Sequence, residues 1–318
     1  MKAGIEALKF PQSQSGAALL IALAITVLAA VLALRAIETG EIDLRRSSLL
    51  IGSDQARQLT LGLEDWAITL IQRDQENPAG ADFDGLEDIW RQRLPLTQVP
   101  GGSISAQLVD LDGRFNINSL LDIDGAIDAL ALERLRRLLR VLQLSPALAD
   151  QVVDWLDSDN IPQPQGAEDN VYRARSTPGL AANRQLGHIS ELRLLPAMNQ
   201  ASWERLKPFI QASPARGTNI NINTASAEVL MSLADGVSRQ MANNLISLRG
   251  AGFFSLPKFL RQSMFANINI DPRGLAVRSQ VYQLSAEIII DQEVTHIETL
   301  LQRRGSVYHV LSRRRNNT

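Results

Sequence analysis

The sequence predicts an α+β protein in which a long N-terminal helix precedes a small antiparallel sheet, with a large all-α domain inserted within that sheet. Three observations predict this class. Residues 17–34 form an uncharged run in which Thr26 is the only polar side chain. Apolar and polar residues alternate near residue 104 and again after residue 281, as they do in half-buried strands. The intervening stretch is largely helical in pattern and far too long for a loop.

Composition limits the classes of function. The chain has 318 residues, enough for two domains, and its 45% hydrophobic content is that of a globular protein rather than a polytopic membrane protein. It contains no cysteine, which excludes disulfides, thiolate metal ligands and cysteine nucleophiles. The net charge of -2 gives no overall electrostatic reason to expect nucleic acid as a partner.

The N-terminus predicts a single membrane span. The apolar run of residues 17–34 is near the lower limit of length for crossing a bilayer, and Lys2 and Lys9 precede it. The positive-inside rule keeps this basic segment in the cytoplasm and places the rest of the chain in the periplasm or outside the cell. A secretory signal peptide is the alternative, but its cleavage site would follow the apolar run, whereas the plausible site here precedes it.

The helix is predicted to continue beyond the membrane. Ala56, Leu59, Leu63, Trp66 and Leu70 recur at intervals of three and four residues and mark one apolar stripe. A long amphipathic extension of the N-terminal helix is the natural interpretation of this spacing.

The basic leader ending in Gly16, the apolar helix that follows at once and the amphipathic extension together resemble a type IV prepilin or pseudopilin. The resemblance implies a pilin-like α+β fold in which the transmembrane helix continues as a spine helix that packs on a sheet. It also implies that a prepilin peptidase removes residues 1–16 as a cytoplasmic leader, cutting between Gly16 and Ala17, and methylates the new N-terminus.

Counted from Ala17, the fifth residue is Ile21, where most pilin-like proteins carry a glutamate. A carboxylate in a membrane-embedded helix is costly unless it is paired, and in pilins its partner is thought to be the terminal amine of the preceding subunit. A subunit that starts a filament has no predecessor and needs no such acid. Ile21 therefore points to the minor pseudopilin K family of type II secretion. A plain anchor helix is the alternative, because isoleucine needs no explanation there.

The predicted pilin-like domain comprises residues 35–115 and 273–318. In its first part, Ile104, Ala106 and Leu108 alternate with polar residues after a turn signal at residues 100–102. Three more strands are predicted near the C-terminus, with inward-facing residues Tyr282, Leu284, Ala286, Ile288 and Ile290, then Thr295, Ile297, Thr299 and Leu301, then Val307, His309 and Leu311. Short connections predict an antiparallel meander, and residues 313–315 are expected to be a frayed end.

Residues 116–272 are predicted to form the inserted helical domain, with subdomains at about 116–212 and 218–272. The first contains a helix with a leucine face and an arginine face, and the arginines are expected to be solvated. The leucines are Leu132, Leu135, Leu138, Leu139 and Leu142, and the arginines are Arg134, Arg137 and Arg140. Ser119 and Thr224 are expected to cap helices.

The second subdomain resembles the helix-hairpin-helix modules of DNA-uptake and repair proteins, through the sequence NINTASAEVLMSL, Gly236 and a second helix near residues 241–248. Such modules bind phosphate through backbone N–H groups of a glycine-rich hairpin near a basic side chain. The hairpin from Asp235 to Arg239 has a single glycine with an acid beside it, which favours a structural role. A membrane-tethered DNA-binding protein remains the alternative function.

An acidic block at residues 154–172 surrounds a loop that contains proline and glycine. Oxygen ligands without Cys or His favour calcium over zinc or copper, and a solvated acidic loop is the alternative. The DWxDxD and GAED pair, followed by AANR and SELR, resembles the protein K family, where it is associated with calcium. Carried over by position, the resemblance implies Asp157, Asp159, Glu168 and Asp169 as ligands, and Asp154 as a capping or salt-bridging residue.

No enzymatic activity is predicted, because the sequence lacks the GxSxG, HExxH and Walker A motifs. The resemblance to protein K implies a role in assembly at the pseudopilus tip. Its partners would be minor pseudopilins I and J and other pseudopilins, with no nucleic acid. The chain would cross the inner membrane once, with its C-terminal bulk in the periplasm. A secreted calcium-binding domain released by signal peptidase is a third interpretation.

Overall fold

The computed structural model describes residues 15–77, 82–214, 219–249, 253, 255–291 and 293–317. The helices are α1 (Ser15–Glu76), α2 (Ala129–Val141), α3 (Ala147–Leu156), α4 (Asp169–Arg173), α5 (Gln200–Leu206), α6 (Ala227–Met231), α7 (Arg239–Leu248) and α8 (Leu256–Leu260). The strands are β1 (Leu94–Val99), β2 (Gly102–Asp110), β3 (Phe115–Asn116), β4 (Ile210–Gln211), β5 (Ile220–Asn221), β6 (Leu275–Ala276), β7 (Val281–Ile290), β8 (Glu293–Arg304) and β9 (Val307–Asn317).

The chain forms two units, Met1–Arg57 and Gln58–Thr318. The first contains the N-terminal part of α1, where the side chains from Leu19 to Leu34 are exposed. Among the described residues, α1 is the one helix long and apolar enough to cross a membrane, and it holds an 18-residue window with a mean hydropathy of 2.6. This agrees with the predicted single span, and an N-terminal signal sequence would have the same properties.

The predicted processing point lies inside α1. The helix begins at Ser15, so the backbone of Gly16 and Ala17 is helical. The first fourteen residues of the predicted leader lie outside the described residues. Ile21 follows in the same helix, and 61% of its surface is exposed.

The second unit contains a five-stranded antiparallel sheet in the order β1-β2-β7-β8-β9. Residues directly opposite each other on neighbouring strands share a face, and Leu108, Leu284 and Thr299 form one such row. All three are buried. The alternation predicted for β2, β7 and β8 is confirmed. Strand β1 was not predicted, because most of its side chains are exposed and they show no alternation.

The C-terminal part of α1 packs on the buried face of this sheet. Thr299 Oγ1 donates a hydrogen bond to Glu64 Oε1 at 3.0 Å, and Arg313 donates from Nε and Nη2 to the two Glu64 oxygens at 2.7 and 2.8 Å. The predicted stripe on α1 is partly wrong, because Leu59 and Trp66 are only half-buried. The face that is buried in this unit is rotated to include Glu64 and comprises Thr60, Leu63, Glu64, Ala67, Leu70, Ile71 and Asp74.

The predicted inward face of the last strand is wrong. Val307 is 53% exposed, whereas Val310 lies opposite the buried Leu301. The register of β9 shifts at Leu311, where a β-bulge inserts an extra residue and changes which side chains point inward. A strict two-residue period cannot anticipate such a bulge.

The expected frayed C-terminus is also wrong. Strand β9 pairs with β8 as far as Asn317, opposite Thr295. Within this stretch Arg313 binds Glu64, and Arg314 Nη2 donates to the carbonyl of Gly187 at 3.3 Å. The basic end of the chain is therefore part of the sheet.

The helical region is inserted between two neighbouring strands. Strands β2 and β7 pair along their whole length, from Gly102 opposite Ile290 to Asp110 opposite Tyr282. The chain leaves the sheet after Asp110 and returns at Val281. A long N-terminal helix, a small antiparallel sheet and further helices are all present, so the predicted α+β fold class is confirmed.

Two short pairs of strands join distant parts of the insert, so that the chain between the two strands of each pair forms a large loop. Strand β3 pairs in parallel with β4, and β5 pairs in parallel with β6. Both loops nevertheless contribute to one buried apolar cluster that runs from Phe115 to Leu275. The exact domain bounds of 116 and 272 and the two subdomains remain predictions.

The leucine face predicted for α2 is buried, but Arg134 on the expected solvated face is not exposed. Its surface is 4% exposed, and Nη1 and Nη2 donate to the carbonyls of Arg273 and Asp271, each at 2.8 Å. Burial lowers the pKa of Arg134 to about 10. These carbonyls are distant in sequence, so the helix pattern alone could not reveal them.

The two predicted helix caps are wrong. Ser226 caps α6 by accepting the N–H of Val229, whereas the Thr224 hydroxyl donates to Asp110 at the end of β2. Ser119 donates its hydroxyl to the Asn116 carbonyl at 2.6 Å. Both hydroxyls therefore serve other contacts.

Candidate functional site

The acidic block lies between α3 and α4, and two acids of α3 hold its loop in place. Asp150 and Asp154 are four residues apart and lie on one face of the helix. Asp154 accepts the backbone N–H of Gln163 at 3.0 Å, and Asp150 accepts that of Gln165 at 3.1 Å. Asp154, expected to cap or salt-bridge, is fully buried and serves as an acceptor for the loop backbone.

Glycine is required at the turn of this loop. A Cβ atom built on Gly166 would overlap the carboxylate of Asp154. The side chain of Asp154 thus occupies the space that any other residue at position 166 would need. Close contact between α3 and the turn brings the two ends of the loop together.

Three carboxylates converge where the loop begins and ends. Asp157, Asp159 and Glu168 each offer one oxygen, and the three oxygens lie within 4.8 Å of one another. Asp157 is the C-cap of α3 and is 7% exposed, whereas Glu168 immediately precedes α4 and is 3% exposed. Asp159 is exposed, and its Oδ1 accepts the N–H of Ile161 at 2.7 Å.

The buried oxygens of this group lack hydrogen-bond partners. Both carboxylate oxygens of Glu168 and Oδ1 of Asp157 are inaccessible to solvent and accept no hydrogen bond. Desolvation, followed by the charges of Asp154 and Asp157, raises the pKa of Glu168 to about 7. Desolvation, followed by the charge of Asp159, raises the pKa of Asp157 to about 6. Two buried acids without partners are costly, and a hard cation would relieve that cost.

Asp169, the fourth residue implied as a ligand, is not part of this group. Its Oδ2 binds Arg173 Nη2 at 2.7 Å, and its Oδ1 accepts the N–H of Ala181 at 3.0 Å. The i,i+4 spacing of Asp169 and Arg173 on a short helix gives a simple reason for this pairing. Asp169 therefore orders the chain that follows α4 instead of joining the three converging carboxylates.

Asn183 is a further oxygen donor that sequence reasoning missed. Its Nδ2 donates to the backbone carbonyl of Asp159 at 3.3 Å, and its Oδ1 is buried without a hydrogen-bond partner. It adopts φ 47°, a left-handed conformation in which asparagine is enriched. The only signal in the sequence was its place in the AANR segment. The carboxylate oxygens of Asp157, Asp159 and Glu168 fit the preference of Ca²⁺, and Asn183 adds a partnerless buried oxygen on a side chain that contacts the Asp159 backbone.

The helix-hairpin-helix-like segment is braced by ion pairs within the insert. Asp235 binds Arg137 at 2.9 Å and Arg140 at 3.1 Å, and Arg239 binds Glu228. Gly236 makes the turn at φ +92°. The predicted second helix is present as α7. A basic side chain already paired with a carboxylate is poorly placed to bind phosphate, which favours a structural role for this hairpin.

Comparisons with known proteins identify a family for the inserted region. Two family models described as type II secretion system protein K match the chain, one over residues 113–215 and the other over residues 220–278. The first range contains the bridge between β3 and β4 and the acidic loop. The second contains the bridge between β5 and β6 and the braced hairpin.

Relatives match nearly the whole chain. It is 30% identical to type II secretion system protein K of Pseudomonas aeruginosa, over 95% of this chain and 93% of the relative. It is 31% identical to the protein of the same name from Pectobacterium carotovorum subsp. carotovorum, over 94% of this chain and 96% of the relative.

A solved structure is also similar. It is the crystal structure of the GspK-GspI-GspJ complex from the type 2 secretion system of enterotoxigenic Escherichia coli. One chain of that complex matches with a TM-score of 0.75 and 26% identity, covering 86% of this chain and 100% of the other.

Proposed function

Because the chain belongs to the type II secretion system protein K family, we propose that it is a minor pseudopilin that caps the pseudopilus tip and initiates its assembly. The observation that carries this proposal is the similarity to a chain of the GspK-GspI-GspJ complex over 86% of its length. Export of folded proteins across the outer membrane would then depend on this subunit through assembly and not through catalysis.

The partners proposed for it are minor pseudopilins I and J, with other pseudopilins below them. The solved relative comes from a complex with GspI and GspJ, and its fold is similar over 86% of this chain, which supports these partners. The size of the insert supports a place at the tip. A helical region of this bulk on every subunit would obstruct stacking along a shaft, whereas a single copy on top would obstruct nothing.

The N-terminus is proposed to be processed by prepilin peptidase between Gly16 and Ala17, and then N-methylated. The protein would first sit in the inner membrane through residues 17–34, with its bulk in the periplasm. Ile21 supports the role of first subunit, because an apolar residue there needs no carboxylate partner from a preceding subunit.

The acidic loop is proposed to bind calcium through Asp157, Asp159 and Glu168, with Asn183 beside them. Support comes from the partnerless buried oxygens of Asp157, Glu168 and Asn183 and from the closeness of the three carboxylates. A divalent cation supplies the positive charge that these buried acids lack. Calcium would then stabilise the fold of the insert by binding the folded state alone.

The test is to replace Ile21 by glutamate, with Ile21→Leu as the matched control. The full chain is expressed with the I and J pseudopilins of the same genome, and both co-purification from detergent-solubilised membranes and secretion are measured. The wild type and the leucine variant are expected to purify with both partners and to support secretion, and Ile21→Glu to reduce secretion severalfold. Absence of a complex with I and J, or full secretion with glutamate, would contradict the proposal.

The same purified protein also tests the DNA-binding alternative. A gel shift at low salt is expected to show no complex with duplex DNA. Binding with a steep salt dependence would instead favour phosphate recognition by the hairpin and an uptake function.

A further inference from the structure

A second group of acids lies in the other part of the Gln58–Thr318 unit, beside the sheet and not in the inserted region. Asp74 is in the last turn of α1, and Asp84 and Asp88 lie on the segment that leads to the 3₁₀ turn Ile89–Arg91. Each offers one carboxylate oxygen, and the three oxygens lie within 4.8 Å of one another. This group shares no residue with the acidic loop.

One oxygen of this group is buried and unpartnered. Asp74 is 2% exposed, its Oδ1 accepts the N–H of Ile89 at 3.1 Å, and its Oδ2 has no hydrogen-bond partner and no contact with solvent. Leaving a buried acceptor unsatisfied costs about 1–3 kcal/mol, and more for a charged group. Asp74 therefore has a buried carboxylate oxygen without a hydrogen-bond donor, although two further carboxylates lie close to this residue.

Within the part of the chain that the structure describes, this group contacts a cation that is already paired with one of its acids. Arg303 is 6% exposed in its side chain and donates from Nη1 and Nη2 to the two oxygens of Asp84 at 3.3 and 2.7 Å. Three ionised carboxylates and one guanidinium carry a net charge of -2. A divalent cation would neutralise that charge.

The remaining contacts orient the carboxylates without neutralising them. Asp88 Oδ2 accepts the indole N–H of Trp90 at 3.0 Å and the N–H of Gly85 at 2.5 Å, and Asp84 accepts the N–H of Ser279. Asp84 is fully buried, whereas Asp88 is only half-buried and gives the group an approach from solvent. Carboxylates fixed in this way need little rearrangement to receive an ion.

We propose that Asp74, Asp84 and Asp88 form a second site for a hard divalent cation such as Ca²⁺, at the junction of the spine helix and the sheet. Oxygen donors alone favour this class of ion over transition metals. Occupancy would tie the end of α1 to the segment before β1. The site does not depend on calcium at the acidic loop, so either can fail without the other.

Trp90 provides a spectroscopic test. The full chain is purified in detergent with Asp157→Asn and Glu168→Gln, which remove the candidate calcium ligands of the acidic loop. Tb³⁺ is then added in increasing concentration, and its emission is measured with excitation of tryptophan. We expect saturable Tb³⁺ emission that excess Ca²⁺ displaces. Adding Asp74→Asn is expected to weaken apparent Tb³⁺ affinity at least tenfold, whereas Glu87→Gln, an exposed acid in the same segment, changes nothing.

Two further measurements keep the result decisive if a variant folds poorly. Equilibrium dialysis of the loop-disabled protein against ⁴⁵Ca²⁺ is expected to give about one ion per chain. Trp90→Phe is expected to retain that ion and lose most of the emission. No bound calcium in the loop-disabled chain, or unchanged Tb³⁺ affinity in Asp74→Asn, would overturn the second site.

Discussion

Buried acids are compensated in two different ways in this molecule. Beside the sheet, Asp84 is paired with Arg303 and Glu64 is paired with Arg313, so these two buried acids each have a fixed cationic partner from a C-terminal strand. In the acidic loop of the insert, Glu168 has no hydrogen-bond partner for either oxygen. Asp84 and Glu64 thus have counter-charges within the chain, whereas Glu168 must take one from outside.

The difference follows from chain connectivity. Strand pairing places Arg303 of β8 next to Asp84 and Arg313 of β9 next to Glu64, although the partners are more than two hundred residues apart in sequence. The loop between α3 and α4 is local, and the acids that lie near Glu168 repel it. Arg173, the basic residue closest to Glu168 in sequence, is already paired with Asp169. An exchangeable ion is thus the natural counter-charge for the loop.

The largest effect is expected from removing a built-in counter-charge. Arg303→Met leaves Asp84 buried without its guanidinium and is expected to lower the free energy of unfolding by about 3–5 kcal/mol. Glu168→Gln in the loop is expected to cost nothing in the presence of chelator, since it removes an uncompensated charge. Chemical denaturation of the full chain in detergent measures both changes.

Arg304→Met is the matched control, because Arg304 is adjacent and exposed and its Nε donates to the neutral side chain of Gln302. A loss below about 1 kcal/mol for Arg303→Met would break the contrast between the two regions. A loss of several kcal/mol for Glu168→Gln in chelator would do the same.

A smaller effect is expected from pH. In the folded state without calcium, the pKa of Glu168 is raised to about 7 and that of Asp157 to about 6, so the folded protein binds more protons than the unfolded chain between these values and about pH 4. The stability that these groups contribute is present below about pH 4 and is lost as pH rises towards 7. At about 1.4 kcal/mol per pKa unit, the shift of Glu168 alone corresponds to a loss of about 3 kcal/mol in chelator.

Other buried acids also titrate, so the wild type is compared with Asp157→Asn/Glu168→Gln in the same buffers. The free energy of unfolding of the wild type is expected to fall more steeply between pH 4.5 and 7.5 than that of the double variant, and saturating calcium is expected to abolish the difference. Identical slopes in chelator would refute the assignment of these pKa values.

The same contrast explains what the sequence could predict. The strands β2, β7 and β8 follow from a two-residue period, and the leucines of α2 follow from a helical one, because one face of each is buried. The inward-facing residues of β9 could not be predicted, because the bulge at Leu311 is a feature of its pairing with β8. Strand β1 gave no signal, because an exposed edge strand does not alternate.

Site residues show the same division between local and distant information. Asp157, Asp159 and Glu168 are near one another in sequence, so the density of acids indicated a cluster. Asn183 reaches the cluster from a distant segment by a contact with the Asp159 backbone, and composition could not reveal it. The sheet-side group of Asp74, Asp84 and Asp88 was likewise not predicted, since its members join the end of one helix to a following segment.

The most direct test of the central claim is the melting temperature of the full chain in detergent, with calcium and with chelator. Asp74→Asn is introduced throughout, so that any ion at the sheet-side group does not contribute, and Glu168→Gln is compared with Glu87→Gln. At calcium a hundredfold above its dissociation constant, stabilisation is expected to be about 2.7 kcal/mol, or roughly 5 °C or more. This gain should persist in Glu87→Gln and vanish in Glu168→Gln. Equal melting temperatures with calcium and with chelator when Glu168 is intact would contradict the claim that the loop takes its counter-charge from calcium.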